Sequence, residues 1–341
     1  MCKEVYRRYK VFSTSGSPSK LEFYFKELRE MRHLFYLITA LLIFLLLPGS
    51  YSTWAQSVNI GTDSCMGINS CTGSGEIGDG SCNGNNTCNG ENMDIGDDAC
   101  NGNNNCNGDN NSIDDQACVD GNGNCNGNDN NIRPAACGDG NKLCNGNNNS
   151  IGILACESGY NLCNGNGNGF GNASCKNGRD ICNGDGNGTG IGACYEGNNL
   201  CNGNDNNLST DSCSNGNRLC NGNGNGVDTV ACKNGHNLCN GDENSIGVNS
   251  CKLGEYLCNG DENGIGESSC GVGDNHCNGN RNEIEDIACR EGKRQCNGND
   301  NSIGQRACRN GDHLCNGKDN DIGAGECADA DNLCNGSGQT I

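Results

Sequence analysis

The sequence predicts an all-β fold, a disulfide-stapled β-solenoid of fifteen short coils preceded by an N-terminal signal helix. Three observations carry that expectation. A pair of cysteines recurs fifteen times from Cys65, every repeat from Cys118 onward is 19 residues long, and Gly and Asn punctuate each repeat at fixed places. A short fixed period means one supersecondary unit stacked on itself, each burying its inner face only against its neighbours. An α-solenoid is excluded, because 19 residues cannot supply two helices and such dense Gly/Asn punctuation would break them. Fifteen coils at about 4.8 Å each extend roughly 70 Å.

Ahead of the repeats, Leu34 to Leu47 is an apolar run of 14 residues, short of the roughly 20 that span a bilayer. Arg29 and Arg32 precede it, Pro48 and Gly49 end it, and Thr53-Trp54-Ala55 places small residues where a signal peptidase reads. Residues 1–55 therefore read as an N-terminal segment and signal peptide cut after Ala55, and residues 56–341 as the repeat domain. Met31-Arg32-His33 and the run that follows make a compact signal by themselves, so Met31 is an alternative start, which would remove Cys2. An uncleaved signal anchor is the competing reading. Without residues 1–55, which hold eight basic and four acidic side chains, 14 basic face 38 acidic, a net charge of −24. Nucleic acid is excluded as a partner by that sign.

Hydrophobic residues make up 33% of the chain and aromatics 4%, beside 56 Gly, 3 Pro and 31 Cys. Too little apolar surface is present to offset the entropy of ordering, so covalent closure has to substitute for a conventional core. The leading cysteines are Cys65, Cys82, Cys100, Cys118, Cys137, Cys156, Cys175, Cys194, Cys213, Cys232, Cys251, Cys270, Cys289, Cys308 and Cys327. The second ones are Cys71, Cys88, Cys106, Cys125, Cys144, Cys163, Cys182, Cys201, Cys220, Cys239, Cys258, Cys277, Cys296, Cys315 and Cys334. Bridging within a repeat uses all thirty with a Gly corner between partners. Bridging between successive coils is the competitor and strands one cysteine in each column. A metal cluster is disfavoured, because C-x5-C and C-x6-C are not zinc knuckles. Dense bridges also require an oxidising compartment.

Each column of the repeat has a physical reading. Five residues before the leading cysteine stands an apolar side chain, from Ile60 to Ile322; only Thr189 departs, with Ile191 as its expected substitute. That column, the Ala/Ser before the leading cysteine and the Leu before the second are expected to line a narrow interior. Asn-Gly after the second cysteine, a Gly three residues after the leading one (Gly121 to Gly311) and a looser third Gly column read as three corners of a triangular coil. A further Asn column, Asn111 to Asn320, reads as a ladder of stacked side-chain amides. At the C-terminus Glu326 replaces Ala/Ser and Ala330 replaces Gly. No dedicated cap follows, so end-to-end self-association stays open.

The motif Ile77-Gly78, Ser81-Cys82-Asn83-Gly84, Thr87-Cys88 and its equivalents through Cys334 resemble the cysteine-rich, Asn/Gly-rich short-repeat secreted proteins of algal lineages. That resemblance covers residues 60–341 and implies the solenoid and a secreted, extracellular or cell-surface location. It implies no activity.

Function reads as a secreted, non-catalytic structural or surface-recognition rod, not an enzyme and without a cofactor. Coils of constant length offer no side loops from which to wall an active-site groove, and His236, His276 and His313 fall in three different columns. The expected partners are an extracellular-matrix, cell-wall or surface polymer, with no membrane span in the mature form. Seven sequons, at Asn85, Asn110, Asn148, Asn172, Asn187, Asn207 and Asn335, are glycosylation candidates. Calcium binding is one alternative, suggested by segments such as Asn202 to Leu208, but the acids (Asp205, Asp242, Glu243, Asp261, Glu262, Asp300, Asp319) fill no single column, leaving only weak surface calcium. Ice binding is the other, and its flat row of Thr is lacking: Thr62, Thr210 and Thr229 are scattered. The column two residues before the second cysteine varies most (Lys142, Asn161, Asp180, Asn199, Arg218, Tyr256, Arg294, His313), as a tunable recognition surface or as surface drift. Basic residues gather late, at Arg281, Arg290, Lys293, Arg294, Arg306 and Arg309.

Overall fold

A computed structural model describes residues 58–341. The signal helix, its cleavage site, Met31 and Cys2 lie outside those residues. Among the described residues no helix is long and apolar enough to cross a membrane.

Backbone pairing runs between each coil and its successor. Fifteen parallel strands form one sheet, from β1 (Val58–Ile60), β2 (Gly73–Ile77), β3 (Gly90–Ile95) and β4 (Ser112–Ile113) to Asp321–Ile322, making about 14 turns of an all-β solenoid. Register shows how the period grows. Val58 lies opposite Gly75, Asp94 opposite Ser112 and Ser112 opposite Asn131, so the step lengthens from 17 to 18 to 19 residues. The first added residue is absorbed as a β-bulge, where Gly73 faces Gly90 but Gly75 already faces Met93. The second enters after Cys118 and converts C-x5-C to C-x6-C. From that coil on a second parallel sheet appears, ten strands from β5 (Gly121–Asn122) to Glu291–Lys293. Earlier coils reach it only through a single bridge from Asn103 to Asn122.

The interior is narrow and lined by columns of buried side chains. Ile113, Ile132, Ile151 and Ile303 are inaccessible or nearly so, as are Ala117, Ala136 and Ala155, and Leu143, Leu162 and Leu200. Thr189 corrects the expectation about its neighbour: Ile191 is 57% exposed, and Thr189 itself keeps the apolar column, its hydroxyl 3.0 Å from the Ser174 Oγ. The preceding coil supplies bulk there as Phe170. Each leading cysteine is bridged to the second cysteine of its own coil, with Cα atoms 5.8–6.4 Å apart, from Cys65–Cys71 to Cys327–Cys334. Most of these cysteines are wholly inaccessible, so the bridges are also core filling.

Positive φ falls where the sequence did not place it. In the Asn-Gly pairs the Asn stays out of the left-handed region, while Gly108 through Gly336 lie at φ 127–146°. All thirty bridged cysteines are left-handed, at φ 51–60°, a conformation an L-residue other than Gly adopts at a cost. The Asn-Gly glycines are also fixed by approach: a Cβ on Gly222 would sit 2.6 Å from the Gly241 carbonyl carbon and nearer still to its oxygen. In both corner columns the obstructing atom belongs to the following coil. Ala330 takes the same place in the last described coil, and its carbonyl oxygen is the atom nearest to a Cβ placed on Gly311.

Two asparagine columns act as ladders, and they divide the work differently from the expectation. In the buried column, Asn206 Oδ1 accepts from the Asn225 backbone N–H (3.0 Å) and Asn206 Nδ2 donates to the Gly222 carbonyl (2.8 Å). Direct amide-to-amide donation occurs there only at Asn244, Asn263, Asn282 and Asn301. The fuller side-chain ladder belongs to the Asn of Asn-Gly. Its Oδ1 accepts the backbone N–H of the preceding coil without a break from Asn89 to Asn335. Gln339 continues the buried column, its N–H bound to Asn320 Oδ1.

Candidate recognition groove

The second sheet owes its outer surface to one backbone peculiarity. Residues two before the second cysteine, such as Lys142, Asn161, Tyr256 and Arg294, are left-handed, at φ 54–58°. Ordinary strand alternation would put one of every two neighbours inward. The turned residue breaks that alternation, so Asn141 and Lys142 are both exposed while Leu143 is buried, and Glu255, Tyr256 and Leu257 repeat the pattern. The variable column thus stands wholly outside the core.

In the last four coils this column forms one wall of an open groove of about 680 Å³, lined by Asn275, Arg294, His313 and Asn332. Asn278, Asn297, Asn316 and Asn335 form the other side. The ladder asparagines are immobilised: Asn278 Nδ2 donates to the Tyr256 carbonyl (2.7 Å) and to Asn297 Oδ1 (3.1 Å), and Asn297 repeats this with Asn275 and Asn316. Facing them, the side chains of Asn275, Arg294, His313 and Asn332 make no hydrogen bond or ion pair among the described residues. The ladder amides of Asn278 and Asn297 are thereby used up, and the free planar polar groups of the opposite wall are the ones that can meet a hydroxyl-rich chain laid along the axis.

The remaining candidate residues are placed apart from one another. His236 is exposed, His313 lines the groove and His276 is fully buried. Burial pushes the His276 imidazole below its ordinary value, against the opposing pull of the Gly292 carbonyl, which its Nε2 meets at 2.7 Å. His276 and the buried Gln295 interrupt the Leu column in successive coils, and each carries an unpartnered polar atom, Nδ1 and Oε1. Of the late basic residues, Arg281 is spent on Asp300 (2.6 Å), whose carboxyl that hydrogen bond holds below the usual range. Arg290 lies 3.9 Å from Glu291. Lys142 and Arg179 both lie over the Tyr160 ring, at 5.5 and 5.7 Å.

Sulfur atoms of adjacent coils come within 4.8 Å, as at Cys106, Cys118 and Cys125, but each belongs to a bridge and offers no thiolate to a metal. Among the carboxylates proposed for calcium, Asp242 and Asp261 each carry an oxygen already bound to a backbone N–H, those of Asn223 and Asp242. Six of the seven sequon asparagines, Asn85, Asn110, Asn148, Asn172, Asn207 and Asn335, are exposed. Asn187 is the correction: it is 1% exposed, its Nδ2 donates to the Gly203 carbonyl and its Oδ1 accepts from Asn206, so a folded coil cannot present it to a glycosyltransferase.

Comparison of the chain with family profiles, curated proteins and solved structures gave no match. The class is set by the fold alone, a cysteine-rich β-solenoid with a repeat of about 19 residues and Gly/Asn-rich strands.

Proposed function

We propose that the chain is a secreted, non-catalytic rod of a cell wall, extracellular matrix or surface layer that works by spacing, adhesion or recognition. The observation that supports this most is the unbroken coil: from Ser112 to Ile322 the first sheet steps by 19 residues without an inserted loop. Export agrees with fifteen bridges, which persist in oxidising compartments, and with the likeness to secreted repeat proteins of algal lineages. Calcium and ice binding are less well supported, since neither a column of carboxylates nor a row of threonines runs along the rod.

Expression of the full chain in a eukaryotic secretory host tests the reading, with non-reducing digestion and mass spectrometry of the product. The expected product is in the medium, begins at Gln56, has its thirty repeat cysteines paired within coils and carries glycans only on exposed sequons. Retention in the cell with free thiols would overturn it.

A further inference from the structure

We infer that the groove beside the second sheet binds a neutral, hydroxyl-rich linear polysaccharide laid parallel to the solenoid axis. This rests on the reading of the chain as a surface rod and names what that rod recognises.

Three features select the ligand. First, the groove is made by repetition: each coil contributes one outward residue with free polar atoms beside one ladder asparagine whose amide is already used, so available hydrogen-bonding groups recur at about 4.8 Å, the strand spacing. A ligand that uses them must itself be linear and repetitive. The four coils from Asn275 to Asn332 offer roughly 15 Å of such surface by that spacing, and the same column runs back through Tyr256 and Arg218 in earlier coils. Second, the groups are of the kind that meet sugar hydroxyls. Amides, a guanidinium and an imidazole donate and accept in fixed planes, and the left-handed backbone at Asn275, Arg294, His313 and Asn332 fixes the direction of each side chain's first bond. Arg294 and His313 are not committed elsewhere.

Third, charge and polarity exclude the competitors. No aliphatic side chain lines the groove, and a protein partner would need an apolar centre to its interface. A polyanion meets a rod that carries 38 acidic against 14 basic side chains in residues 56–341, with Asp274, Asp312 and Asp331 against Lys293 one position away from the groove wall. That field repels it. A neutral glycan suffers no such repulsion and matches the polar lining.

Affinity electrophoresis and calorimetry of the secreted full chain against cellohexaose, laminarihexaose, mannohexaose and xylohexaose test the inference, with an alginate hexamer as the anionic comparison. The expectation is binding to at least one neutral hexamer, weakened at least tenfold in the double variant Arg294→Ala/His313→Ala. Its melting should match the parent, since neither side chain has a partner in the fold. Arg179→Ala, on the Tyr160 surface outside the groove, should bind as the parent does. Absence of binding to every neutral hexamer, binding to alginate alone, or binding undiminished in the double variant would each overturn the inference. Failure here with the chain still exported and bridged leaves the rod reading standing; failure of export removes both.

Discussion

Gly254→Ala isolates the contact that sets the height of a coil. Gly254 opens a strand of the second sheet and its φ lies outside the left-handed region, so alanine meets no backbone penalty there. Any destabilisation comes from the methyl group. A Cβ at this position would lie 2.9 Å from the Gly273 carbonyl carbon, nearer still to its oxygen, and 3.4 Å from its nitrogen, all backbone of the next coil. Ordinary contact begins near 3.4 Å and the carbonyl oxygen is the nearest atom, so that corner must lift by more than about an ångström, as an overpacked interior does. Two cross-coil hydrogen bonds sit close by, from the Gly273 N–H to Leu253 and from the Cys258 N–H to His276, at 3.4 and 2.9 Å. Overpacking costs about 1–3 kcal/mol and each of the two weakened hydrogen bonds about 1 kcal/mol, which together put the loss at about 3–5 kcal/mol. Guanidinium unfolding of the disulfide-intact repeat domain measures it, with amide exchange at Gly273 and Cys258 as the local probe. The converse, Ala330→Gly, should change stability by less than about 1 kcal/mol. A Gly254→Ala protein within about 0.5 kcal/mol of the parent, with unchanged protection at Gly273, would refute the claim that coil-to-coil approach fixes these glycines.

Replacing both Cys213 and Cys220 by Ala opens a loop of sequence separation 7 and should cost about 2.5 kcal/mol by loop-closure entropy, read as a lower denaturant midpoint and as new proteolysis near Asn215. Asn206→Ala leaves the buried Asn225 N–H and Gly222 carbonyl without partners and should cost about 2–4 kcal/mol, more than Asn204→Ala on the exposed surface. Burial lowers the folded-state pKa of His276 from its ordinary 6.5, so the unfolded chain binds that proton more readily. Its contribution to stability is therefore full above about pH 6.5 and falls as the pH drops from there toward the folded value. His276→Leu, which restores the Leu column, should remove that part of the acid sensitivity; identical pH slopes for the two proteins in denaturant titrations from pH 7.5 to 5 would contradict the assignment.

Much of the coil was legible because repetition turns a weak local signal into a column. Fourteen aligned Ile, Leu, Val and Phe side chains show which face is inside, and the structure buries all of them except Ile60 in the first coil. The left-handed cysteines were not legible, since nothing in a cysteine's side chain announces its φ; the constraint comes with the stacked neighbours, which impose it on unbridged Lys142, Leu154 and Val230 as well. The Asn-Gly pair misled for a related reason. Asn tolerates a turn, but here its amide is worth more as a rung, and the turn passes to the residues on either side. The groove was half visible: the variable column could be read off the sequence, but its pairing with the immobilised asparagines depends on a backbone twist that strand alternation does not foresee. Asn187 reads as a sequon by its local triplet and is removed from use by a column that extends over twelve coils.

The left-handed cysteines also tie the shape of the chain to its redox state. Holding a non-glycine residue there costs roughly 1–2 kcal/mol, so the two ends of one bridge together oppose about what closing that loop contributes. Unbridged residues such as Lys142, Leu154 and Val230 hold the same conformation, and the cysteine N–H groups are bound to the next coil, as Cys213 is to Ala231 at 3.0 Å, so stacking as well as the bridge keeps these corners. A reducing environment therefore removes loop closure at every level at once while the stacked corners still carry their backbone strain, and the loss of stability is summed along the rod.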